Sequence, residues 1–390
     1  MSCPAWSRGC CMMCHVRDDH SALILACARA QRDIDNAEIK RLMKPVSDWR
    51  AVAKTATAHS VLPLLATRLT DAGIEVPAVI AETAAGAAAR NLGLVGSLLR
   101  AQALLAEAGI ETLAFKGPPL SVDLYGDFAR RQSADIDLLV RRGQALDARR
   151  ALQAADHRFW LDLTPAEERR FLRYSNEYGL WDPEGGIVEL TWALAPRHLA
   201  IDLDADRFFA DARSLEMAGT SISVLAPHDQ LLALAVHGGK HLWERLGWVA
   251  DVAQLIATTP DLDVDLALAR ARSVAAERHV LVAVAMCREL LGTELPRSLA
   301  GGIERDSEVP ALTAALRDRL LPLPRRHPER VFEPLSLRLR ERRRDQALTI
   351  ARLIVTPTVE DWRWIRLPDA LAFAYPTMRP VRLARKYLFS

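Results

Sequence analysis

The stretch Ala134-Asp135-Ile136-Asp137-Leu138-Leu139-Val140 sets two carboxylates into an otherwise apolar run. Its length and content predict a strand. Side chains alternate faces along a strand. Asp135 and Asp137 therefore share one face, while Ile136, Leu138 and Val140 turn into a core. Two negative charges that close repel unless something neutralises them. A divalent cation is the usual solution, and Mg²⁺ prefers hard carboxylate oxygens. A bare Asp-x-Asp would equally suit the solvated face of an edge strand, so the surroundings have to decide.

Upstream lies Phe115-Lys116-Gly117-Pro118-Pro119. Residues 111–115 read as a short strand, and proline just inside a helix start is favourable. A lysine at a helix N-terminus is a natural phosphate site, because charge, helix dipole and free N–H groups act together. Downstream, Glu189 interrupts the apolar strand predicted over 187–192. An acid there must be solvated, paired or bound to a metal.

The rest of the chain arranges itself around this segment. Residues 21–75 carry apolar positions at helical spacing, and residues 80–108 read as one long Ala/Leu-rich helix ended by Gly109. A helix is expected over 144–155, and further strands over 157–163 and 174–181. Glu184–Gly186 looks like the turn of a hairpin. From Pro227 the pattern is helical again, with helices within 227–255, 262–294, 308–320 and 335–354. Residues 321–334, rich in proline and arginine, read as a linker or loop. The expected class is α+β: a core with a small mixed sheet and helices over 81–226, flanked by an N-terminal helical region (21–80) and a C-terminal one (227–390).

Composition bounds the function. The 390 residues suit two or three domains. Hydrophobic residues make up 50% and charged residues 26%, a globular balance. The net charge is only +2, which argues against a polynucleotide partner, since that usually needs a basic footprint. The run Arg338, Arg340, Arg342, Arg343, Arg344 has no interleaved aromatics and reads as a solvated helix face. The longest apolar runs, 92–99 and 280–287, fall far short of the about 20 residues of a spanning helix. No signal-peptide pattern precedes the first apolar stretch, so a cytoplasmic location is expected. Cys3, Cys10, Cys11 and Cys14 crowd the N-terminus, but only Cys11-x-x-Cys14 has metal spacing. Residues 1–20 read as a disordered leader, or as an early start with Met12 or Met13 the true one.

Taken together, the segment from Gly109 to Val140, with Glu189, resembles the nucleotidyltransferases of the DNA polymerase β-like superfamily. Within it the chain is similar to the uncharacterised nucleotidyltransferase branch. That branch carries Lys-Gly, then Tyr, then Arg shortly before Asp-x-Asp; here these are Lys116-Gly117, Tyr125, Arg131 and Asp135-Ile136-Asp137. Its acid-Leu-His-Trp strand corresponds to Glu189-Leu190-Thr191-Trp192. The likeness continues through Asp48-Trp49, His59 and Pro63, and through His237-Gly238-Gly239-Lys240-His241 and Asp251. It extends to Leu367-Pro368 and Arg379-Pro380 in the tail.

The resemblance implies transfer of a nucleoside monophosphate from an NTP such as ATP to a hydroxyl, with release of pyrophosphate. Asp135, Asp137 and Glu189 would be catalytic and hold two Mg²⁺ ions, Mn²⁺ being possible in their place. Lys116, Gly117, Arg131, His237, Lys240 and His241 would contact nucleotide. Arg131 could instead form a structural salt bridge. His237 and His241 have zinc-helix spacing, but Gly238 is not the glutamate of H-E-x-x-H. Their face either looks into the cleft or packs with Trp243 and Trp248 over the core. Two departures stand out. Pro118 and Pro119 each remove an N–H donor from the phosphate turn, and Thr191 replaces the branch's His. The acceptor would be a small molecule or a peptide or protein, and branch members often neighbour genes for modified peptide natural products. The competing reading is a catalytically retired nucleotide-binding or antitoxin-like regulatory protein on the same fold.

Overall fold

The computed structural model describes residues 19–203, 205–321 and 333–388. The Cys-rich leader, apart from its last two residues, and most of the expected 321–334 linker lie outside the described residues.

Seven strands form one mixed sheet: β1 (Thr112–Ala114), β2 (Ile136–Val140), β3 (Arg158–Phe159), β4 (Glu177–Trp181), β5 (Ile187–Thr191), β6 (Arg213–Met217) and β7 (Thr220–Val224), in the order β3-β4-β5-β2-β1-β7-β6. β2 runs parallel to β5, and β1 parallel to β7; the other pairs are antiparallel. The class is α+β, as the sequence predicts. The predicted strand over 157–163 shrinks to two residues. The chain turns instead into the helix Pro165–Tyr174, entered by a Thr164/Glu167 capping box. That Thr-x-x-Glu signal was legible and outweighs the apolar run before it. The β6–β7 hairpin was not foreseen either. It turns on Ala218-Gly219, both with positive φ, the conformation two-residue hairpins require.

Alternation along the central strands sorts side chains into two cores. Ile136, Leu138, Val140, Val188 and Leu190 pack on one face of the sheet, under the helices Ala78–Glu107 and Ala145–Ala154. On the other face Leu113 and Leu139 join a larger core built by the N-terminal helices and by the C-terminal helices from Pro227 onward. Each fully buried Leu or Ile contributes about 1.5–3 kcal/mol. The helical regions at both ends of the chain thus pack into one core on the Asp137 side of the sheet. Among the arginine run, Arg340 departs from the solvated expectation: it is 1% exposed and donates to the Ala200 carbonyl at 3.0 Å.

The helix Pro227–Lys240 needs glycine at two adjacent positions. A Cβ at Gly238 would lie 2.5 Å from the Trp243 ring, and one at Gly239 would lie 2.6 Å from the His279 ring. His279 is therefore sealed in the core, and burial, then Arg340 and Arg278, lower its pKa to about 3. A histidine held neutral in the fold contributes stability that is fully present above its unfolded pKa and is lost as pH falls toward the folded one. Between pH 7 and 5 the wild type should lose about 2 kcal/mol more than His279→Gln. Denaturant titrations of both proteins at the two pH values measure the difference.

Candidate active site

The strand register assembles the acids. Asp137 on β2 lies directly opposite Glu189 on β5, and Glu189 lies opposite Gly179 on β4. Adjacent strands are about 4.8 Å apart, so residues 52 apart in the chain become lateral neighbours on one face. Asp135 immediately precedes β2. Asp137 is 1% exposed. Its Oδ1 pairs with the Lys116 ammonium, while its Oδ2 has no hydrogen-bond partner among the described residues.

The charges strain one another. Burial, then the charges of Asp137 and Glu177, push Glu189 up to about 8. Burial and Asp137 also raise Asp135 above the usual carboxylate range. Burial alone would lower the Lys116 ammonium, but Asp137, Asp135 and Glu189 outweigh it and hold it above its ordinary value. One lysine thus faces three carboxyl groups. A buried carboxylate oxygen without a partner, within an all-oxygen donor set, fits a hard divalent cation.

Gly117 makes the approach of Lys116 to Asp137 possible. Its φ is +66°, and a Cβ there would come 2.9 Å from the Asp135 carbonyl oxygen. Lys116 itself is extended and serves as N-cap of the helix Gly117–Tyr125.

Lys116, Asp135 and Asp137 open on a cavity of about 250 Å³, also lined by Arg131, His237, His241 and Asp251. Arg131 is held from below: its Nε donates to Asp251 at 2.8 Å, and the Tyr125 hydroxyl donates to the same carboxylate at 3.0 Å. The salt bridge foreseen for Arg131 is therefore present, on a residue that still lines the cavity. His237 meets Trp248 edge to face and His241 is tilted against it, with centroids 5.0 and 5.3 Å from its ring. Burial, then Lys116, holds His237 well below its ordinary value, and burial, then Lys240, brings His241 down to about 3. Both shifts favour the neutral form of the rings. The two aromatic neighbours divide: Trp243 is buried over Gly238, whereas Trp248 lines the cavity.

Glu189 and Lys240 do not line this cavity. Glu189 sits one strand beyond it, toward the part of the sheet where Trp160 covers Gly179 and Trp160 and Trp181 are 46% and 39% exposed. The sequence did not single out Ser60, Gln132, Ser133, Glu244, Arg245 or Gly247, which also line it. Ser60 had a partial signal, since it follows His59. The His59 carbonyl accepts from the Gly247 N–H at 2.8 Å and brings the N-terminal helices to the cavity rim. A second group of possible ligands, Asp211, His228 and Asp229, lies within 4.8 Å. There the Arg270 guanidinium bonds both carboxylates and already supplies the neutralising charge.

The comparisons with known proteins bear on this arrangement. The profile of a family described as uncharacterised nucleotidyltransferase matches residues 45–292, which include every residue of the site described here. The chain belongs to the uncharacterised nucleotidyltransferase family. No curated protein matches it. Among solved structures it is similar to an antigenic nucleotidyltransferase-like protein from Paracoccidioides brasiliensis, at 16% identity and a TM-score of 0.31, over 57% of this chain and 90% of that one. Nucleotidyl transfer is the general activity of the family; no helix of the described residues is long and apolar enough to cross a membrane.

Gly117→Ala forces a left-handed backbone on a residue with a Cβ and drives that atom into the Asp135 carbonyl. It should cost about 1–3 kcal/mol or more, read as a lower urea midpoint at unchanged slope.

Proposed function

We propose that this member of the family transfers a nucleoside monophosphate from an NTP to a hydroxyl of a small-molecule or peptide acceptor. The acceptor oxygen bonds to the α-phosphorus, the α–β phosphoanhydride bond breaks, and pyrophosphate leaves. The observation that carries this reading is the pairing of Asp137 with Glu189 across β2 and β5, with Asp137 Oδ2 buried and unpartnered.

Asp135, Asp137 and Glu189 would hold Mg²⁺, which supplies charge neutralisation for the triphosphate and the leaving group. Lys116 would supply a positive charge at the helix start, where Pro118 and Pro119 leave few N–H donors. Arg131, fixed by Asp251 through its Nε, presents the remaining guanidinium edge to the cavity for a phosphate oxygen. Neutral His237 and His241, with Trp248, form a wall suited to a base or sugar. Lys240, outside the cavity lining, is assigned to the outer phosphates or the acceptor. Glu189, next to the open sheet face, would take the acceptor's proton. The exposed Trp160 and Trp181 lie on that same side, so the acceptor is expected to approach there.

One observation favours the retired-binder reading: the Lys116 ammonium already pairs with Asp137 and could replace a metal permanently. Thermal shift and pyrophosphate release with each NTP and Mg²⁺ separate the two. The proposal expects one NTP to stabilise the wild type only with Mg²⁺, and Asp135→Ala/Asp137→Ala to abolish both stabilisation and at least 10³-fold of turnover, a loss of about 4 kcal/mol. Equal stabilisation of both folded proteins without Mg²⁺ would favour the binder.

A further inference from the structure

A second cavity, of about 240 Å³, lies at the far end of the same strands. It is bounded by Arg142 after β2, Arg173 at the end of the helix Pro165–Tyr174, Arg197 in the loop after β5, and Arg352 on the helix Arg343–Val355. Trp192 and Ala193 form part of its floor. Ala193 is four residues past Glu189, about 13 Å along an extended chain. This cavity therefore shares no lining residue with the first.

The four guanidinium groups are oriented but not neutralised. Arg142 donates to the Leu172 carbonyl at 3.1 Å, Arg197 to the Arg173 carbonyl at 3.4 Å, and Arg352 to the Arg197 carbonyl at 3.1 Å. Arg173 and Arg197 both lie over the Tyr174 ring, at 5.6 and 5.9 Å. Among the described residues no carboxylate forms a salt bridge with any of the four, and Asp202 is the one acid in the lining. Burial, then the neighbouring arginine charges, push the Arg197 guanidinium below its ordinary value. Arg142, Arg173 and Arg197 are exposed and Arg352 is half-buried; by contrast, Arg270 has Asp211 and Asp229, and Arg379 and Arg382 share Asp361.

We propose that these four arginines form a binding site for a small phosphate-rich anion, of pyrophosphate size or larger. A single carboxylate would neutralise one charge of four. A polyphosphate carries several charges and offers the oxygen pairs that guanidinium forks bind bidentately. The cavity has room for such a group. Because Arg352 comes from the C-terminal helices and the other three from the sheet region, the anion would also tie these parts together.

Calorimetric titration with pyrophosphate in EDTA, at constant ionic strength, tests the site without metal-dependent binding at Asp135 and Asp137. The wild type should bind one equivalent, inorganic phosphate should bind at least tenfold more weakly, and Lys116→Ala should bind within twofold of wild type. Arg173→Gln/Arg352→Gln should lose at least tenfold. Without anion that double variant should melt at the same temperature as wild type or above, because like charges have been removed. The proposal is overturned if pyrophosphate does not bind the wild type, if phosphate binds equally well, if the arginine variant binds as tightly, or if only Lys116→Ala loses affinity. A clearly lower melting temperature of the arginine variant without anion would overturn it too, by assigning the arginines to holding the loop.

Discussion

Everything at this site depends on one crowding of charge: Asp135, Asp137 and Glu189 gather on one face of the sheet, and Lys116 is the cation paired among them. Asp137 is buried at the floor of the cavity, and the turn that brings Lys116 to it requires Gly117, where a Cβ would meet the Asp135 carbonyl. The residual negative charge is evident in Glu189, pushed up to about 8, and in the unpartnered Asp137 oxygen. A fold tolerates such an arrangement when a ligand completes it. The hydrophobic layers on either side of the sheet provide the rigidity. Leu139, on the same face as Asp137, belongs to the larger core that the C-terminal helices share, and His237, His241 and Asp251 of those helices line the cavity.

Tyr125, Arg131 and Asp251 illustrate how distant segments become one device. Arg131 lies on the loop before the acids, and Asp251 lies 120 residues later on a helix. Their salt bridge and the Tyr125 hydroxyl bond set the height of the cavity wall relative to the strand. The His59 carbonyl does the same for the N-terminal helices by bonding to Gly247. Two successive left-handed residues, Leu242 and Trp243, end the histidine helix sharply, so that Trp243 returns beneath Gly238 and His241 stays at the cavity. Non-glycine residues in that conformation carry strain, which the packing of Trp243 beneath Gly238 offsets.

Much of this was legible in the chain. Period-2 alternation placed Asp137 and its apolar neighbours on opposite faces, and proline after Gly117 marked the helix start. Asp135 was read as a strand residue, whereas it precedes β2. The register that brings Glu189 beside Asp137 is a long-range property, and no local pattern encodes it. The same holds for Arg245 and Ser60, ordinary surface residues until the helices fold over the sheet. The short β3 and the following helix were misjudged because an apolar run of 157–163 satisfied both patterns, and the capping box decided it. Glu189 lies outside the cavity lining for a geometric reason: it is a full strand away.

The most direct measurement is a crystal structure with Mn²⁺ and an NTP analogue whose α–β bridge cannot be cleaved. Anomalous density at Asp135, Asp137 and Glu189, with Lys116 released from Asp137 to the phosphates, is the expected result. Lys116 still paired to Asp137, with nucleotide bound and no metal density at the three acids, would contradict the account.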